Sequence, residues 1–159
     1  MDRQTAQKVA PGAAAAGLAA RLIVGAVFLI AGAQKAAGPV EEFAVVISGY
    51  GILPPDMTTG AAAVIPWLEV FFGLSLAAGY FTRQAAATLG ALSASFILAL
   101  LSVKLRGYDL PNCGCFGGGI HLTMWQAMAL DAALLGGASA AFKAGKERLS
   151  LDRWAEEGT

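Results

Sequence analysis

Apolar residues fall into four long blocks separated by short polar stretches, and these breaks set the expected elements. From about Gly12 to Ala37 the chain is apolar apart from Arg21, Gln34 and Lys35. Such a block predicts a helix able to span a bilayer, which takes roughly 20 residues. Gly38-Pro39 ends it. Val40 to Tyr50 then shows amphipathic helical spacing, with Phe43, Val46, Ile47 and Tyr50 on one face and Glu41 and Glu42 on the other. That segment is expected to lie flat on a membrane or to cap the bundle, and Gly51-Ile52-Leu53-Pro54-Pro55 stops it. Further apolar blocks at about Gly60–Tyr80, Ala85–Val103 and Leu122–Phe142 predict three more spans. Thr82-Arg83-Gln84 reads as a tight turn, and Lys104 to His121 as a long outer loop.

The expected fold class is all-α: an integral membrane four-helix bundle with a short amphipathic helix in its first outer loop. Its single domain covers 12–142, between polar tails at 1–11 and 143–159. Gly25, Gly32, Gly73, Gly79, Gly90, Gly136 and Gly137 are placed to let helix backbones approach closely, although glycine is frequent in membrane helices anyway. A cleaved leader is the rival for the first block, since Leu22–Ala33 is a short apolar core and Ala31-Gly32-Ala33 looks cleavable. The apolar residues before Arg21 make the block too long for that pattern.

Composition sharpens the membrane reading. Charged residues are 14% of the chain and apolar residues 57%, against about a quarter and about half in soluble domains. The net charge is zero and no basic stripe occurs, which argues against a nucleic-acid partner. The basic residues divide unevenly across the expected spans. Arg3, Lys8, Arg21, Arg83, Lys143, Lys146, Arg148 and Arg153 collect on one side, and Lys35, Lys104 and Arg106 on the other. By the positive-inside rule both termini are expected in the cytoplasm of a cell with this protein in its inner (plasma) membrane. The loop after the third span then faces the periplasm, where disulfides persist.

That loop holds both cysteines and the lone histidine. Cys113 and Cys115 can approach bonding distance only if the backbone between them bends sharply, and Gly114 removes the side-chain obstacle to the bend. The resulting small, strained ring would reduce easily, which suits a transient redox pair better than a staple. These cysteines are the expected catalytic residues. His121 is placed to lower a thiol pKa or to hydrogen-bond a quinone carbonyl, and Phe116 to shield the disulfide or stack on a quinone ring. The alternative roles are an interfacial polar residue for His121 and a structural or incidental pair for the cysteines. Metal binding is a third, since Cys113, Cys115 and His121 form three soft or borderline ligands suited to copper or zinc; the fourth would have to come from Asp109 or a partner.

Glu69 and Asp131 fall inside expected spans. A carboxylate at mid-bilayer costs about 2.5–3.5 kcal/mol on insertion scales, so it should face the bundle interior and find a partner. Arg21 is the expected partner of Glu69, with Lys35 at the opposite end of its helix. The pair reads as an interhelical tie or as part of a proton path or quinone site. Asp131 has no partner that the sequence identifies. Trp67, Trp125 and Trp154 read as interface anchors.

Four features together resemble a known family: Arg21 with Gly25 and Phe28; Gly32-Ala33-Gln34-Lys35; Pro66-Trp67-Leu68-Glu69; and Cys113-Gly114-Cys115-Phe116-Gly117. The chain, from about Ala20 to Phe142, resembles the DoxX-like superfamily of small four-helix membrane proteins and, within it, the MauE branch. The resemblance implies a redox-associated inner-membrane protein. It also implies a periplasmic thioredoxin-like partner or substrate protein, with Cys113 and Cys115 as the redox pair and Arg21 and Glu69 as intramembrane polar residues. The expected function is thiol–disulfide exchange at the periplasmic face, with quinone as a candidate cofactor. A non-catalytic assembly subunit of a larger complex and a metal-handling protein are the alternatives.

Overall fold

The structure is a computed structural model describing residues 11–108, 114 and 122–144. The described residues form five helices: α1 Pro11–Ala37, α2 Val40–Gly49, α3 Pro55–Ala78, α4 Thr82–Leu105 and α5 Met124–Ala144. No strand occurs among them. Among the described residues, three stretches, Ala15–Ala37, Pro55–Ala78 and Thr82–Leu105, are long and apolar enough to cross a membrane. Residues 1–10 and 145–159, most of the two expected tails, lie outside the described residues.

α1 packs most extensively on α3, α4 on α5, and α1 also meets α5. The α1–α3 contact is made backbone to backbone. A Cβ added at Gly25 would lie 2.8 Å from the Gly73 carbonyl oxygen, and one at Gly32 would lie 2.7 Å from that of Pro66. Close approach through small residues is the packing expected in lipid, where burying apolar surface between helices brings little. Not every glycine serves it: nothing lies within 4 Å of a Cβ built at Gly136. Val24, Phe28, Leu76, Leu89 and Leu134 fill the core where α1, α3, α4 and α5 converge.

Two boundaries differ from the sequence expectation. α3 begins at Pro55, with a proline in its first turn where the missing N–H costs nothing. The turn expected at Thr82-Arg83-Gln84 lies just before it. Gly79 ends α3 in the left-handed region (φ 76°), its N–H donating to Leu76 O and that of Tyr80 to Ser75 O, a Schellman closure. Thr82 is already helical and buried. The polar triplet looked like a break because composition cannot tell a loop from a helix's first turn.

α2 lies against α3 and buries Phe43, Ala44 and Ile47. Tyr50, just after it, is buried in the cluster with Leu100, Val103 and Ala127. α2 thereby closes the end of the molecule from which the cysteine-bearing segment departs.

Candidate functional site

Lys35, near the C-terminal end of α1, and Glu69 of α3 form a buried ion pair between the two helices. The Lys35 Nζ donates to both carboxylate oxygens, at 2.7 and 2.8 Å, and both side chains are 1% exposed. The ammonium also lies 5.3 Å from the ring centroids of Phe43 and of Phe96, within the range of cation–π attraction. Two hydrogen bonds and two aromatic faces therefore replace the water lost on burial.

The expected partner of Glu69, Arg21, is corrected by this arrangement. The contacts of Gly25 with Gly73 and of Gly32 with Pro66 set α1 and α3 antiparallel. Side chains lean toward the N-terminus of their own helix, so in this register Glu69 leans along α1 toward the level of Lys35, and Lys35 leans back to meet it. Arg21 leans away, and at about 1.5 Å per residue it lies about 21 Å from Lys35 along the axis. Arg21 is itself buried at 3% exposure, in the lower part of the core. Lys35 was thus the missed member of the site. Gly32, one turn earlier on the same face, is where α3 comes closest, a relation that only the structure reveals.

Asp131, which the sequence left without a place, joins the same site from α5. A cavity of about 20 Å³ is lined by Lys35, Glu69 and Asp131 with Phe28, Ala31 and Phe96 among its apolar walls. A space of that size holds about one water molecule. Asp131 is 5% exposed. Three ionisable side chains from α1, α3 and α5 therefore line one small, partly open cavity, an arrangement suited to exchanging a proton or to locking three helices in register.

Cys113, Cys115, Phe116 and His121 lie outside the described residues. Gly114, between the cysteines in sequence, is described. Its φ is +68°, in the region glycine enters without a Cβ penalty. It is buried, and a Cβ built on it would overlap the Val46 side chain of α2. Gly114→Ala meets both obstacles. It is expected to cost about 1–2 kcal/mol from the left-handed backbone alone, read as a lower melting temperature, whereas Val46→Ala combined with it recovers only the part due to the clash. Equal stability of Gly114→Ala and the natural chain would count against this placement.

The family model described as methylamine utilisation protein MauE matches residues 13–144. The chain belongs to the MauE family. A similar relative is the methylamine utilization protein MauE of Paracoccus denitrificans, 32% identical over 95 residues, which are 60% of this chain and 51% of that protein. The matched stretch spans about half the length of that relative. No solved structure matches. Membership and the three apolar helices together make this a membrane protein of the MauE family. The match runs through α1 to α5 and so includes Lys35, Glu69, Asp131 and both cysteines.

Proposed function

We propose that this MauE-family chain is a thiol–disulfide redox protein of the inner membrane that acts in methylamine utilisation, like the relative named for that process. In this reading α1, α3, α4 and α5 form a four-helix transmembrane bundle of DoxX-like type, with both termini in the cytoplasm. The amphipathic α2 and the Cys113-Gly114-Cys115 loop face the periplasm.

The observation that carries the reading is the backbone of Gly114. A left-handed glycine held against α2 supplies the bend that a Cys-Gly-Cys pair requires. In the reaction, a thiolate of a thioredoxin-like or substrate partner attacks the Cys113–Cys115 disulfide. A mixed disulfide forms and one cysteine leaves as thiolate; a second partner thiolate then attacks the mixed bond. The partner is oxidised to its disulfide and the Cys113/Cys115 pair is reduced by two electrons. Reoxidation needs an acceptor, for which we assign a membrane quinone near Phe116 and His121.

Thiol trapping with a mass-tagging alkylator, after equilibration in defined glutathione buffers, tests the proposal. Cys113 and Cys115 are expected to switch together at an accessible, fairly oxidising potential, because strained short-loop disulfides lie on the labile side. Cys113→Ser with Cys115→Ser is expected to abolish partner oxidation. A pair that stays bonded under strongly reducing conditions would make the bridge structural and the protein an assembly subunit. Reduced thiols that resist alkylation would point to a bound metal instead.

A further inference from the structure

A second and larger cavity, of about 230 Å³, opens between α2, α3 and α4. Ile47 and Tyr50 close it from the α2 end, Ile65 from α3, and Leu92, Phe96 and Ala99 from α4. Ser95 brings a hydroxyl to the wall, but that group already donates to Ala91 O at 2.8 Å. A ligand with polar groups would lose its water there and find few partners. Hydrocarbon loses nothing, and apolar cavities of about 150 Å³ already accept benzene or xenon.

The mouth identifies where such hydrocarbon comes from. Ile52 and Leu53 form one lip and are exposed, as are Val64 and Leu98, which adjoin Ile65 and Ala99 in the chain. Val64 and Leu98 lie on α3 and α4, two of the three described helices apolar enough to cross a membrane.

A cation stands at the loop end of the opening. Arg106 reaches from the end of α4 to the backbone that lines the cavity: its Nη2 donates to Tyr50 O at 2.6 Å and to Ser102 Oγ at 2.9 Å, its Nε to Ser102 O at 3.0 Å, and its Nη1 to Gly51 O at 3.4 Å. All these acceptors are neutral. Arg106 is exposed, and among the described residues no carboxylate pairs with it. At about 1.5 Å per residue, Ala99 lies about 10 Å and Leu92 about 21 Å below it along α4. That depth matches one leaflet of a bilayer about 40–45 Å thick with its headgroups, the reach of an acyl chain hanging from a headgroup.

We propose that this is a binding site for one anionic phospholipid, with an acyl chain in the cavity and the headgroup phosphate on the Arg106 guanidinium. The Nη1 N–H that Gly51 does not use can donate a charge-assisted hydrogen bond to a phosphate, and the phosphate supplies an anion that none of the described residues does. The lipid would wedge α2 against α3 and α4, on the far side of the Phe96 ring from Lys35. The site stands whether or not the cysteine pair is redox-active.

The test uses the purified full chain in detergent, offered phosphatidylglycerol or phosphatidylcholine with identical chains, with retained lipid read by native mass spectrometry. Phosphatidylglycerol is expected to be retained about fivefold better, the factor that one basic residue near a headgroup supplies. Ser95→Phe fills the cavity from an exposed position; it should abolish retention of both lipids while the lipid-free melting temperature stays unchanged. Arg106→Gln should remove the headgroup preference and keep the chain-driven retention. If that variant does not fold, the headgroup comparison and Ser95→Phe decide. Equal retention of the two lipids by the natural chain would overturn the proposal, as would retention unaffected by Ser95→Phe. Glycerol phosphate raising the melting temperature as far as phosphatidylglycerol does would also overturn it, by showing a free-phosphate site.

Discussion

Glu69→Ala is expected to yield little folded protein. The variant removes the carboxylate that takes both hydrogen bonds from the Lys35 ammonium, at 1% exposure inside the helix contact, and removing one member of a buried pair costs about 3–5 kcal/mol. That is a large share of a typical total stability of about 5–15 kcal/mol. Lys35→Ala should behave alike, stranding the carboxylate. The informative variant is the double one, Lys35→Met with Glu69→Leu. It replaces both charges by apolar groups of similar volume, a change that is often neutral or stabilising. Melting of the three variants in detergent separates two roles for the pair. If the double variant folds but partner oxidation is lost, the charges serve the reaction; if it folds and works, they serve only to choose the α1–α3 register. A Glu69→Ala protein as stable as the natural chain would mean that the pair is not buried as described.

Gly32→Ala should lower stability sharply for the addition of a single methyl group. Its Cβ would fall 2.7 Å from Pro66 O, 2.9 Å from Val70 N and 2.7 Å from the Glu69 Cβ. Two of the three obstacles are backbone, which cannot turn aside as a side-chain tip can. α1 and α3 must part, and parting them draws Lys35 away from Glu69. Overpacking of this kind costs about 1–3 kcal/mol, occasionally more. Gly136→Ala is the matched control, since nothing lies within 4 Å of its Cβ. There the change should only improve helix propensity, by up to about 1 kcal/mol. Comparing the two melting temperatures checks both statements. A Gly32→Ala protein that melts no lower than Gly136→Ala would show that the helices do not approach as described.

The helices themselves were legible from local pattern. α1 ends where Gly38-Pro39 said it would, and α2 matches its predicted segment to within a residue, because apolar run length and helical spacing act over a few turns. Boundaries failed where polar residues belonged to a helix rather than a loop, as at Thr82, buried in the first turn of α4. Glu69 is buried and paired with a base on α1, but with Lys35 rather than the expected Arg21; an uncompensated charge in apolar surroundings is too costly to leave. Which base it would choose was not legible. Arg21 and Lys35 are both buried on α1, and composition ranks neither above the other.

By itself the sequence determined what kind of residues this protein must hide: long apolar helices and a few charges inside them. Tertiary structure alone decided which of those charges meet. The choice of Lys35 over Arg21, and the convergence of Asp131 on the same cavity, depend on an antiparallel register set by glycines on two different helices. They depend also on the lean of each side chain toward its own N-terminus. Both are relations between segments distant in the chain, and a local pattern carries no record of them.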